Sequence, residues 1–115
     1  MTTEAIARVA HCANRALCIA HGDLSQQSWE TAPPWQHIST AESVEFLSRH
    51  PGASAVMLHE KRVVRKRGDG WRWGPVKDVA EKRDPCLVGW DELPELERAK
   101  DRLFLAVVRA LLEEE

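Results

Sequence analysis

The stretch GWRWGPVKDVAEKRDPCLVGW, residues 70–90, constrains this chain more than any other. Pro75 and Pro85 each remove a backbone donor and restrict the residue before them, so no helix runs through it. It holds three of the five tryptophans and three of the six glycines. Trp71, Trp73 and Trp90 each bring a large apolar face and one N–H that needs a partner when buried. An irregular aromatic segment between helical stretches is where a small domain commonly carries a binding site. The plainer alternative is that these rings plug the core. Trp71 and Trp73 are two apart, so in an extended segment they point the same way, with Lys77 on that side beyond Pro75.

The flanking sequence reads as helix. Residues 3–21 place Ile6, Val9, Ala13, Ala16, Leu17 and Ala20 on one broad arc, with Thr2 or Thr3 as cap and Gly22 as stop. The opposite face carries Glu4, His11, Asn14, Arg15, Cys18 and His21, read as a solvated polar surface. A metal on His11, Cys18 and His21 lacks an obvious fourth ligand and the paired short spacings of structural zinc sites. Residues 23–37 read as a loop, because Pro33-Pro34 forbids a helix through it. Its Trp29 and Trp35 must dock on something, either the core or one wall of a cleft. A second helix is expected from about 40 to 50, with Ser39 and Glu42 as a capping box and Val44, Leu47 and Phe46 buried. A third is expected over 54–67, capped by Ser54 and stopped at Gly68 or Gly70, with Val56, Met57, Val63 and Val64 as a narrow apolar pattern.

The second half of that helix is strongly basic, with Lys61, Arg62, Arg65, Lys66 and Arg67. A basic helix raises nucleic-acid binding, but a solvated face balancing the acidic C-terminus is the favoured reading, and nucleic acid is not the expected partner. The last helix, 95–113, has Leu96, Ala99, Leu103, Phe104, Val107, Ala110 and Leu111 as its core face, with Lys100 in the same arc and Asp101 at its edge. Leu105, Val108 and Leu112 form a second apolar line, which suggests a homodimer. The terminal glutamates 113–115 oppose the helix dipole and should fray.

At 115 residues, with 43% hydrophobic and 30% charged residues, the chain reads as one globular domain, 1–115. A net charge of −2 does not suggest a general nucleic-acid binder. No apolar run is long enough to span a membrane, and the N-terminus lacks the layout of a signal peptide. Three cysteines argue against a disulfide framework and for a reducing cytoplasm. There is no phosphate-cradling glycine loop and no motif for nucleophilic catalysis, and Cys86 reads as a buried thiol. The fold class is mainly α: four helices around one core, with a short hairpin near 73–76 and 87–88. No cofactor, metal or enzymatic activity is expected.

The pattern GWRWGPVKD, then DPCLVGWDELP, then ERAKDRLFLAVV resembles the RyR domain, the repeat domain of ryanodine receptors, which also occurs as short stand-alone bacterial or phage proteins. Gly70, Trp71, Trp73, Gly74, Lys77 and Asp78 match its first part; Pro85, Leu87, Val88, Trp90, Leu93 and Pro94 its second; Lys100 and Asp101 its third. The opening IARVAHCANRALC, with Asn14, and SWETAPPWQ are also similar. Asp84 stands where the family usually has His, and Arg62 where many members carry an aromatic residue. The resemblance implies binding of a nucleotide or nucleotide-derived signal, adenine type favoured, in a signalling or phage-defence setting. Trp71, Trp73 and Lys77 would line a cleft, with Trp29 or Trp35 opposite, Asn14 and Asp101 at its floor, and Arg62 toward phosphate. Two alternatives stand beside it: a structural or protein-interaction module whose tryptophans are core, and a nucleotide hydrolase.

Overall fold

A computed structural model describes residues 1–114. The chain is mainly helical: α1 (Thr3–Ala20), α2 (Pro34–Arg49), α3 (Ala55–Gly68) and α4 (Glu95–Glu113), with a single 3-10 turn at Trp90–Glu92 among the described residues. It divides into two compact units, one of Met1–Ala53 together with the chain from Arg102 on, the other of Ser54–Asp101.

Local chemistry explains the helix ends. Thr2 Oγ1 accepts from Ala5 N at 3.0 Å, and Ser54 Oγ accepts from Met57 N at 3.2 Å, so both helices open on a hydroxyl cap. Gly22 (φ +82°) and Gly70 (φ +91°) close α1 and α3 in the left-handed conformation. In each case the residue after the glycine bonds back across the last turn, Asp23 N to Cys18 O at 2.9 Å and Trp71 N to Lys66 O at 3.0 Å, the Schellman arrangement. The second helix departs from expectation. It begins at Pro34 rather than near residue 40, because proline blocks a helix interior but suits its first turn, where the missing N–H has no partner to lose. Ser39 therefore lies inside α2 and is no cap; its carbonyl accepts from Ser43 Oγ at 3.2 Å.

In the first unit, α1 packs on α2. The buried face of α1 is Ile6, Ala7, Ala10, His11 and Cys18, rotated from the expected arc; Val9, Ala16 and Ala20 are exposed. The expected polar face is thus partly core. The loop from Gly22 to Pro33 folds back along it: His11 Nε2 donates to Gln27 O at 2.7 Å, Arg15 Nε to Gln26 O at 3.2 Å, and Arg8 meets Glu30 at 2.5 Å. The first two bonds supply partners for part-buried polar groups, whereas the Arg8–Glu30 pair is largely exposed.

From α4, Phe104 and Val108 are buried in this unit, and Arg109 Nη2 donates to the carbonyls of Pro51 (2.8 Å) and Ala53. Val108 is 0% exposed and Leu105 and Leu112 are half-buried, so the second apolar line is partly covered within the chain. Ala110, expected in the core, is exposed. Apolar residues cover so much of α4 that periodicity leaves its phase open.

In the second unit, Ala55, Leu58, Trp71, Leu87 and Leu93 are buried together with three polar groups, His59, Asp84 and Asp101. Met57 and Val64, expected on the buried side of α3, are exposed. The expected hairpin is replaced by two isolated bridges, Arg72 with Arg83 and Asp78 with Arg83. A tight turn over 78–83 closes on paired bonds between Asp78 and Arg83 (2.9 and 2.8 Å), with Lys82 at φ +54°.

Candidate functional site

The eight candidate residues divide between the units. Asn14, Trp29 and Trp35 belong to the first; Arg62, Trp71, Trp73, Lys77 and Asp101 belong to the second. Trp29 is a core residue, 6% exposed, stacked on His37 at 4.0 Å and 11°, with His11 tilted against it at 5.6 Å. Its own carbonyl accepts from His37 Nε2 at 2.6 Å. Trp35 is half-buried in the first turn of α2. Asn14 is half-buried on α1, and its Oδ1 is enclosed with no hydrogen-bond partner in the structure. A cavity of about 240 Å³ in this unit is lined by Met1, Ile6, Val44, Glu45, Arg49 and Leu112 among others, and touches none of the candidates.

The second unit gathers the ionisable groups. α3 presents His59, Arg62 and Lys66 one turn apart, and the chain after it returns Asp84 and Asp101 to them. Arg62 Nη1 donates to Asp101 Oδ1 at 2.8 Å. His59 Nε2 donates to Val88 O at 2.7 Å, which leaves Nδ1 facing Asp101 Oδ2 at 3.8 Å. Because a carbonyl only accepts, Nε2 holds the ring hydrogen and is not open as a base. Burial lowers the Arg62 pKa, opposed by the charge and hydrogen bond of Asp101. Burial raises the Asp101 carboxyl, opposed by Arg62 and His59. For both partners desolvation sets the direction of the shift against their mutual attraction.

Asp84 is the second hub, 4% exposed. Lys66 Nζ donates to its Oδ2, and Cys86 N donates to Oδ1 at 2.8 Å. Burial alone would raise this carboxyl, but the bond and charge of Lys66, the Cys86 amide and the charge of Lys77 together carry it below its ordinary value. The Lys66 ammonium also sits 4.6 Å from the centre of the Trp71 ring, a cation–π contact.

Lys77 and Lys100 complete a basic cluster. The Lys77 pKa is lowered by desolvation first, then by Lys66 and Lys100, against the attraction of Asp84. Lys77 is itself exposed to solvent. Lys100 pairs with Glu97 at 3.2 Å. Burial and the carboxylates Glu97 and Asp84 push the Cys86 thiol up to about 12, which keeps it protonated and a poor nucleophile.

The two neighbouring tryptophans do not share one surface. Trp71 is 7% exposed and lies under Lys66; Trp73 is 55% exposed. The expected pair of stacking rings is unequally accessible: Trp71, the first residue after the Schellman closure of α3, is covered by Lys66, and Trp73 beyond the Arg72 bridge is open to solvent. Sequence reasoning missed Lys66 and Asp84 as partners. They are 18 residues apart and no local pattern joins them, although Asp84 already stood out as a departure from the RyR pattern. His59 and Glu97 carried no signal at all.

Among the described residues no three His, Cys, Asp or Glu side chains gather as metal ligands, and no helix is long and apolar enough to cross a membrane. No protein-family model matches the chain.

Proposed function

We propose that this chain is a ligand-binding module for a nucleotide or nucleotide-derived signal, adenine type favoured, acting in the cytoplasm by binding rather than catalysis. The observation that carries the reading is the gathering of Lys66 and Lys77 at one buried carboxylate, Asp84, with Lys100 neighbouring Lys77, in the same unit as the exposed ring of Trp73. Lysines in mutual repulsion gain when a phosphate arrives between them. An exposed indole face offers a base a stacking partner. The resemblance of 70–78 and 84–94 to the RyR pattern supports the same ligand class. The high thiol of Cys86 and the carbonyl-bound Nε2 of His59 speak against nucleophilic chemistry at these groups.

Thermal unfolding against a panel of adenine, guanine and pyrimidine nucleotides, linear and cyclic, tests the proposal. An adenine nucleotide at 100 times its Kd should add about 2.7 kcal/mol of stability. No shift with any nucleotide would refute it, and turnover of a nucleotide would favour the hydrolase. The burial of Trp29 and Trp71 favours the interaction-module reading for those two rings.

A further inference from the structure

Between residues 61 and 83 the chain carries nine basic residues and three acidic ones, although its net charge is −2. Such asymmetry is the footprint of a polyanion partner when the cations also share a surface. The hydrogen bonds of the second unit bring them together. Trp71 N bonds Lys66 O, Lys82 Nζ donates to Asp69 O at 2.7 Å, Arg72 N to Lys82 O at 2.9 Å, and Asp84 N to Arg72 O at 3.0 Å. The C-terminal turn of α3, Arg72 and the 82–83 pair are thereby knitted into one end of the unit. Arg65, Arg72, Lys82 and Arg83 are exposed there, Arg67 is exposed with Nη2 donating to Leu87 O at 3.4 Å, and Lys77 is exposed in the segment between Arg72 and Lys82. The three acids offset only part of this: Asp69 is paired with Arg65 at 3.2 Å, Asp78 Oδ1 accepts from Glu81 N, and Glu81 is the third.

We propose that this end of the unit is a binding surface for single-stranded nucleic acid, along which the Trp73–Lys77 portion holds one nucleotide. The inference rests on the nucleotide reading above and extends it from a monomer to a strand. One mononucleotide presents its charge at a single point, whereas these cations run from the last turns of α3 through the 78–83 turn. Trp73 stands exposed within that run, where an unstacked base has its face available. A duplex hides its base faces and leaves an exposed indole without a partner.

Fluorescence anisotropy of a labelled 12-nucleotide single strand, with the full chain and across a salt series, tests this. The strand should bind at least 10-fold more tightly than AMP. Its log Kd should change with log salt at a slope near 0.7 per phosphate engaged, so of magnitude about 2–4 for three to five contacts. Trp73→Ala should weaken strand binding about 5- to 100-fold, and Arg72→Ala, at an exposed position, about 3- to 10-fold with a shallower slope. If AMP stabilises the protein but the strand binds no better and without salt dependence, the strand surface is refuted and the nucleotide reading stands. If the strand binds and no mononucleotide does, the mononucleotide reading falls and the strand surface stands. Preference for duplex over single strand, or binding of anionic lipid vesicles with none of the strand, would overturn the proposal.

Discussion

Replacing Asp84 by Asn isolates the charge at the hub of the second unit. Cys86 N donates to the native Oδ1 at 2.8 Å, a bond the amide oxygen can keep in nearly the same shape, but Lys66 loses its anion. Breaking a buried pair by removing one partner costs about 3–5 kcal/mol. Here the Asp84 side chain is 6% exposed but that of Lys66 is 24% exposed, so the ammonium can recover some hydration. We therefore expect Asp84→Asn to lower the unfolding free energy by about 2–4 kcal/mol in urea, with an unchanged m-value. Lys66→Met should cost at least as much, because it leaves the more deeply buried Asp84 carboxylate without its cation even though the methionine still packs on Trp71, and the double variant should be less than additive.

The pH dependence has a definite sign. The folded Asp84 pKa lies below its ordinary value, so its contribution is fully present above the unfolded value of about 3.9 and is lost as pH falls through the folded value. Wild-type protein should lose stability more steeply than Asp84→Asn below about pH 4 and show the same difference throughout neutral pH. A change under about 0.5 kcal/mol, within the scatter of surface substitutions, would refute the account of Asp84 as hub.

The tryptophans should separate by experiment: Trp71→Ala should cost about 3–5 kcal/mol in chemical denaturation, as buried aromatics do, whereas Trp73→Ala should leave the midpoint nearly unchanged and impair only binding. Gly74→Ala should destabilise by about 1–3 kcal/mol, since an added Cβ would meet Arg83 Cβ at 2.8 Å, and thermal unfolding reads it. In native protein at pH 8, exposed Cys12 should react with a thiol reagent far faster than Cys86, whose thiol stands at about 12; equal rates would refute its protonated state.

Much of the architecture was legible along the chain because it depends on near neighbours. Ser54, Gly22 and Gly70 act through bonds spanning three to five residues, so α1, α3 and α4 are expected within a residue or so of where they lie. Pro33 and Pro34 were read as breakers when Pro34 starts a helix, because the same missing donor is harmful inside a helix and harmless at its first turn. Which way each helix faces was decided only in three dimensions. α1 carries alanines on several sides, and the docking of the 22–33 loop, with Trp29 against His11, selected the face that periodicity did not. The same holds for the site. The sequence showed a local run of cations over 61–67 and five tryptophans, but the burial of Trp71 beside an exposed Trp73, and the meeting of Lys66 with Asp84 and Arg62 with Asp101, depend on tertiary structure, the two ion pairs joining residues 18 and 39 apart. No local spacing encodes such contacts, because they depend on the path of the whole intervening chain.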